Sequence, residues 1–215
     1  LSLDAETHAR HAEFVRKSEA GGELLNVEIR IDRQRAASEI TIYTSDHPGL
    51  FSQIAGAMAL SGANIVDAKI FTMTNGMALD VFWIQDAMGR AFTQPARIAR
   101  LEKNIERTLT GRVYPAREIE KQPALASRTS IFTVEPRVLI DNSASRVHSV
   151  VEVNGRDRPG LLYDVTRAMT ELGLQISSAH ITTYGERAVD VFYVKDGFGM
   201  QISHEIKLNQ IKGDL

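Results

Sequence analysis

Asp46-His47-Pro48-Gly49-Leu50 returns 111 positions later as Asp157-Arg158-Pro159-Gly160-Leu161, and the match does not stop there. The same offset carries Met58 onto Met169, Gly62 onto Gly173, Ile65 onto Ile176, Ala68 onto Ala179 and Thr72 onto Thr183. One residue is then lost, after which Asp80-Val81-Phe82 maps onto Asp190-Val191-Phe192, and Asp86 and Gly89 onto Asp196 and Gly199. Agreement in register over so long a stretch, with its one gap at a turn, means two copies of one unit, so the fold question reduces to that unit.

The unit opens on a strand: Glu39-Ile40-Thr41-Ile42-Tyr43-Thr44 alternates apolar and polar and is rich in β-branched residues. Pro48 suits a first helical turn, where its missing N–H costs nothing, and Leu50, Ile54, Ala57 and Met58 follow at helical spacing. Gly62 supplies a left-handed cap. A strand is expected over Ala63–Thr74, a two-residue hairpin at Asn75-Gly76, and a return strand over Leu79–Gln85. Pro95 opens a second helix with Ile98, Leu101, Ile105 and Leu109 on one face. Copy two repeats this order, with Tyr184-Gly185-Glu186 as its shorter turn.

Strand, helix, strand, strand, helix, completed by one more strand, is the βαββαβ ferredoxin-like arrangement of the α+β class, an antiparallel sheet with helices on one face. The closing strand of copy one is expected within Ile131–Ile140, with Pro136 at an edge or bulge. Copy two reaches Leu215 in its second helix, so its closing strand either follows or is missing, and a truncated copy is expected. Ahead of the repeats, Asp4–Ala20 reads as a helix closed by Gly21-Gly22, and Leu25, Val27, Ile29 and Ile31 alternate as an adaptor strand able to pair beside Glu39–Thr44. The expected divisions are therefore 1–37, the helix and adaptor strand, 38–142, the first unit, and 143–215, the second.

The chemistry worth seeking lies in the Asp-x-Pro-Gly-Leu turn. It feeds a helix N-terminus, where unpaired amides and the helix dipole attract a carboxylate, and its glycine lets a guest approach the main chain. An aspartate there can bind an ammonium or simply order the turn, and both readings stand. Asn64 in copy one and Gln175 in copy two follow the helix and carry amides suited to a ligand side chain. Candidate binding residues are thus Asp46, His47, Gly49, Leu50, Asn64 and Ile65, with Asp157, Arg158, Gly160, Leu161, Gln175 and Ile176 as their counterparts.

Composition narrows the alternatives. Lys plus Arg number 25 against 27 Asp plus Glu, so no basic field gathers nucleic acid or an anionic membrane. With no cysteine, disulfides, thiolate metal sites and a cysteine nucleophile are excluded. No apolar run approaches the roughly 18 residues of a membrane helix. The first residues have neither the basic nor the apolar region of a secretory signal, which points to the cytoplasm, and with no initiator Met the chain reads as a piece of a longer protein.

The turn, the Gly62-Ala63-Asn64-Ile65 segment and the βαββ order resemble the ACT domain, a module that usually binds amino acids. The tandem resembles more specifically the C-terminal region of the bifunctional PII uridylyltransferase/uridylyl-removing enzyme family. That likeness spans roughly residues 24–212 and rests on Asp46–Phe51, Val138–Asn142 and Val153–Val165, above all Val153-Asn154-Gly155-Arg156-Asp157-Arg158-Pro159-Gly160-Leu161-Leu162. It implies glutamine as effector, control of upstream catalytic domains acting on the PII signalling protein, and pairing of ACT units within or between chains. The family's catalytic parts have no counterpart here. Nucleotidyl transfer on Mg²⁺ calls for an Asp-x-Asp pair, which is absent, and uridylyl removal calls for an adjacent His-Asp. The six histidines are followed by Ala9, Ala12, Pro48, Ser149, Ile181 and Glu205, so this chain is expected to be non-catalytic and free of cofactor, with Mg²⁺ belonging to the parent enzyme.

Other candidates weigh less. His8 and His11 share a helical face and could bind metal with Asp4 or Glu6, though a solvated face is the plainer reading. Asp196-Gly197-Phe198-Gly199 aligns with Asp86–Gly89 and reads as a turn. Arg112, Arg117, Lys121, Arg128, Arg137 and Arg146 form a basic stretch without the interleaved aromatics of a base-stacking surface. Trp83 and its counterpart Tyr193 are expected to pack in the sheet or at an interface.

Overall fold

A computed structural model describes residues 3–121, 135–184 and 186–215. Asp4 accepts the Thr7 amide at 2.7 Å and Gly22 turns left-handed, so the first helix, α1, runs Ala5–Gly21. Copy one follows as β1 (Leu25–Asp32), β2 (Ala37–Ser45), α2 (Leu50–Leu60), β3 (Asn64–Thr72), β4 (Met77–Gln85) and α3 (Pro95–Leu109). A short helix, α4 (Pro115–Glu120), leads away from it. Copy two comprises β5 (Arg137–Asp141), β6 (Ser149–Arg156), α5 (Leu161–Glu171), β7 (Gln175–Tyr184), β8 (Arg187–Lys195) and α6 (Glu205–Asp214).

Among the described residues the strands form one antiparallel sheet in the order β1-β2-β4-β3-β7-β8-β6-β5. The copies meet edge to edge at a short seam, Asp67↔His180, Ala68↔Ala179 and Lys69↔Ser178, which runs the order of one copy into the reverse order of the other. A register shift between Ile65 and Asp67 recurs between Ile176 and Ser178, so the repeat preserves even its irregularity.

Each unit has the four-strand neighbourhood of the ferredoxin-like fold, but the strand beside β2 or β6 comes from the N-terminal side. This corrects the expected strand assignment. Residues 131–134 of the expected closing strand lie outside the described residues. From Arg137 onward the segment is β5, paired with β6 of copy two (Val138↔Val153) and not with copy one. Its equivalent in copy one is β1, paired with β2 from Leu25↔Thr44 to Asp32↔Ala37. Copy two therefore has four strands and two helices, and the strand expected to be missing from it is present ahead of β6. Alternation shows that a segment can fill a sheet edge, while which edge it reaches depends on the connections, and that information is not in the periodicity. Pro136 stands just before β5, on the outermost strand, where its missing N–H costs no ladder bond.

The first hairpin also departs from expectation. Gly76 has φ +78° but Asn75 stays at negative φ, and Met73 N donates to Met77 O at 2.7 Å. The loop thus holds three residues, Thr74–Gly76, a turn closed by one left-handed glycine. In copy two, Gly185 lies outside the described residues.

Helices α2, α3, α5 and α6 cover one face. Ile40, Ile42, Phe82 and Ile84 lie under Ile54, Met58, Leu101 and Ile105, and Val151, Phe192 and Val194 lie under Val165, Met169 and Ile211, in one continuous core. Phe82 and Phe192 are fully buried, each contributing about 1.5–3 kcal/mol relative to exposure. On the opposite face α1 lies over β2. Arg10 is 2.7 Å from Glu39, Tyr43 Oη donates to Glu19 at 3.1 Å, and His11 is buried with Nε2 3.9 Å from Glu39, so this histidine faces the sheet instead of water. Trp83 is buried on the same side beneath the Arg35 guanidinium, 4.4 Å from its ring.

Candidate functional site

The first Asp-x-Pro-Gly turn joins β2 to α2. Asp46 N donates to Gly76 O at 3.1 Å, and Asp46 Oδ2 accepts from Thr72 Oγ1 at 2.6 Å, which ties the turn to the β3–β4 hairpin. Gly49 sits at φ +87°, and Leu50 N donates back to His47 O at 3.1 Å. No side chain caps α2: the aspartate is spent on Thr72, and the amides of Phe51 and Ser52 have no acceptor among the described residues. The orphan donors of this helix start thus remain open to a guest.

Beside this turn lies a cleft of about 520 Å³, within the roughly 300–1,000 Å³ of small-molecule sites. Copy one supplies His47, Gly49, Ser52 and Gln53, and copy two supplies Arg167, Thr170 and Glu171 from α5. The chain from Thr108 to Arg117 forms the third wall. The start of α2 meets the end of α5 here, since a Cβ built on Gly49 would lie 3.6 Å from Thr170 Cγ2. Positive and negative helix ends therefore face one another across the cleft, an arrangement that complements a zwitterion. Arg167 and Glu171 pair at 2.7 Å on that wall, partly exposed and so able to re-pair with a ligand at small cost.

The second turn repeats the backbone. Asp157 N donates to Glu186 O at 2.8 Å, Leu161 N to Arg158 O at 3.1 Å, Gly160 has φ +81°, and no side chain caps α5. Arg158 pairs with Asp164 in the first turn of the helix. What differs is the cover. Ile119 of α4 presses on Gly160, so that a Cβ there would lie 2.8 Å from Ile119 Cγ2.

Behind each turn, on the helix-facing side of the sheet, is a buried aspartate. Asp80, 1% exposed, has neither carboxylate oxygen partnered among the described residues, and Asp190, 2% exposed, leaves Oδ1 unpartnered. Burial pushes the Asp80 carboxyl well above the usual carboxylate range, and the negative charge of Asp46 adds to this. Burial, with Asp157 adding, pushes Asp190 up to about 7. The signal for these two residues was in the sequence, since alternation puts Asp80 on the face of Ala78 and Phe82.

Of the residues singled out from sequence, His47 and Gly49 line the cleft, Asp46 is tied up beside it, and Leu50 is buried in the core. Asn64 is not at this turn. It begins β3 opposite Gln85, whereas β3 reaches the Asp46 end only at Thr72, roughly 25 Å further on at 3.3 Å per residue. The antiparallel seam turns the Asn64 end of β3 toward the end of the sheet that carries the copy-two turn, and the Gln175 end of β7 toward the copy-one turn. Ile65 is buried and Ile176 half-buried, both in the core. In copy two, Asp157 and Arg158 are exposed, Gly160 is buried and Leu161 packs on the core. The walls from α5 and Tyr114–Arg117 had no sequence signal, because they depend on how the two copies meet. The Asp196–Gly199 segment is a turn, with Asp196 Oδ1 accepting from the Phe198 and Met200 amides, as Asp86 Oδ1 does from Met88 and Arg90.

With this geometry in view, the chain compares closely with known proteins. Residues 137–213 match a family model described as an ACR9-like, ACT-like domain. A bifunctional uridylyltransferase/uridylyl-removing enzyme of Azospirillum brasilense is 59% identical over 214 residues, and that of Rhodospirillum rubrum 54% over 213, each covering 99% of this chain. The corresponding enzyme of Gluconobacter oxydans is 50% identical over 217 residues. The chain spans 23% of the length of these relatives. Among solved structures, an aspartate kinase from Synechocystis overlays 84% of this chain and 26% of its own, with a TM-score of 0.43 at 16% identity.

Proposed function

We propose, from the premise that this chain is a tandem ACT region of the kind carried by bifunctional uridylyltransferase/uridylyl-removing enzymes, that it is their amino-acid-sensing regulatory part and that glutamine is its effector. The observation that carries this reading is the cleft built jointly by an uncapped helix start of copy one and the α5 end of copy two. A free amino acid suits it: the carboxylate at the open amides of α2, the ammonium toward Glu171 and the α5 terminus, and the side-chain amide among the polar groups of Thr170, Arg167 and Gln53.

The same placement gives a route to control. A ligand held by both copies favours the relative arrangement in which both walls reach it, and a difference of about 1–3 kcal/mol between arrangements suffices for a 5–150-fold response. The arrangement would bias attached catalytic domains that add uridylyl groups to, or remove them from, the PII signalling protein, with Mg²⁺ held by those domains. Among the described residues no group of three or more His, Asp or Glu could hold a metal, and no helix is long and apolar enough to cross a membrane. A cytoplasmic setting and pairing with further ACT units belong to the same proposal.

Calorimetric titration of the chain with glutamine, glutamate and 2-oxoglutarate tests it. Saturable heat is expected with glutamine and much weaker or no heat with 2-oxoglutarate, which has no ammonium. Silence with glutamine up to millimolar concentration contradicts the reading.

A further inference from the structure

We propose that the space between α1 and the β3–β4 hairpin, on the far side of the sheet from the cleft, is a binding site for an aromatic carboxylate. The site is independent of the sensing role assigned to the copy-one turn. A gap of about 430 Å³ lies there, also of small-molecule size, and its floor is Phe71, Met73 and Leu79, each half-buried. Leu79 pairs across the sheet with Phe71 on one side and with Tyr43, whose hydroxyl reaches α1, on the other. Cross-strand partners share a face, so this floor lies on the face that α1 occupies. Yet α1 does not fill the space above it, because the helix is held to one side. Arg10 and Glu19 fasten it to Glu39 and Tyr43 of β2, and Glu19 also accepts from Asn75 Nδ2 at the hairpin tip, at 3.2 Å. The row it turns toward the floor is His8, Ala12, Arg16 and Glu19, whose one apolar member is a methyl group. The repeat does not demand an apolar floor: in copy two Phe71 and Leu79 become Thr182 and Val189, paired in the same register.

The chemistry of the walls selects the guest. Phe71 offers a ring and Met73 a thioether sulfur, both favourable partners for an aromatic body. The polar end meets donors. His11 lines the gap at 3% exposure, and its Nε2 has no hydrogen-bond partner among the described residues. Glu39 Oε1, at 3.9 Å, is beyond bonding distance and is already held by Arg10 at 2.7 Å. His8 stands one turn back on the same helix face, and Arg16 lies past Ala12. Glu19, the acid on this wall, is spent on Tyr43 and Asn75. The uncommitted groups are therefore two imidazoles and a guanidinium whose pair with Glu13 is exposed and exchanges at small cost. Such a set suits a carboxylate and leaves an ammonium without an acceptor. A guest so placed would tie α1 to β3 and β4 as well as to β2.

Calorimetric titration of the 215-residue chain with 3-phenylpropanoate tests the site. One saturable site per chain is expected, with the amides of Ala12–Arg16 exchanging several-fold more slowly in the bound protein. The uncharged 3-phenylpropanamide, of the same shape, should bind about tenfold more weakly, and 3-phenylpropanoate should lose about as much on His11→Leu. Ala12→Leu places an aliphatic side chain in the gap and should abolish binding, while thermal unfolding stays at or above that of the unaltered protein, which separates a filled site from a lost fold. No saturable heat up to roughly 10 mM overturns the site. Binding retained by Ala12→Leu puts the guest elsewhere and overturns it too, and equal affinity for the acid and the amide overturns the carboxylate assignment. None of these results bears on glutamine at the copy-one cleft, so the two readings fail separately.

Discussion

The turns at Asp46 and Asp157 share sequence, backbone and a buried carboxyl beneath them, yet one borders an open cleft and the other lies under a side chain. Local sequence dictates the first set of properties and the chain that passes over them dictates the second. The deciding position is small. Gly56 on α2 gives Pro115 a seat, and its equivalent on α5 is Arg167, which gives none. A duplicated unit thereby acquires two different surfaces from one glycine and one connecting helix.

Substitutions should pull the two turns further apart or bring them together. Thr170→Trp acts most strongly, because the indole would fill the cleft where Thr170 Cγ2 already lies 3.6 Å from a Gly49 Cβ. Glutamine binding should weaken by at least about 100-fold, roughly 2.7 kcal/mol, with thermal stability little changed. Retained binding would move the ligand away from the copy-one turn.

Asp190→Asn probes the feature that the copies share. Its carboxyl, raised to about 7 by burial and by Asp157, holds a proton in the folded protein over a range where the unfolded chain has lost it. Stability should therefore fall as pH rises from about 4 to about 7 and level off above. The asparagine variant, measured by urea unfolding, should escape that loss and exceed the unaltered protein at pH 8 by roughly 2–4 kcal/mol. Asp80→Asn should act in the same direction, and opposite signs for the two would deny that the carboxyls are equivalent.

Gly56→Ala is the mildest. The added methyl meets the Pro115 ring at 2.4 Å and Tyr163 Cδ2 at 2.9 Å, so α4 must shift. A loss of about 1–3 kcal/mol in thermal unfolding is expected, with faster exchange at the Leu161 amide as Ile119 withdraws. An unchanged melting curve would show that α4 is not seated there.

How much of this could be read in advance follows from the same division between local and non-local. The repeat, the helix start at Pro95, the left-handed Gly62 and the alternating strands are local, and they were legible, whereas Pro48, expected in the first turn of α2, lies in the turn before it because left-handed Gly49 caps the helix and delays its start to Leu50. The adaptor strand beside Glu39–Thr44 was legible and is β1, but the closing strand of copy one was misassigned because Val138 and Ile140 alternate equally well whichever sheet edge they join, and only the connections decide that β5 goes to β6. For the same reason Asn64, adjacent to the turn in sequence terms after one helix, ends up at the far end of β3. The cleft depends on the seam between β3 and β7, three residue pairs long, for which no residue pattern speaks. Asp80 and Asp190 were visible as charges on an apolar face, although their coupling to Asp46 and Asp157 appears only once the turns are in place.

Amide chemical-shift mapping on the isotope-labelled chain, titrated with glutamine, goes most directly to the central claim. The resonances of Gly49, Phe51 and Ser52 should move together with that of Thr170 across the cleft, while Gly160 and Leu161 stay in place. Shifts confined to the Asp157–Leu161 turn, or none in either copy, would contradict it.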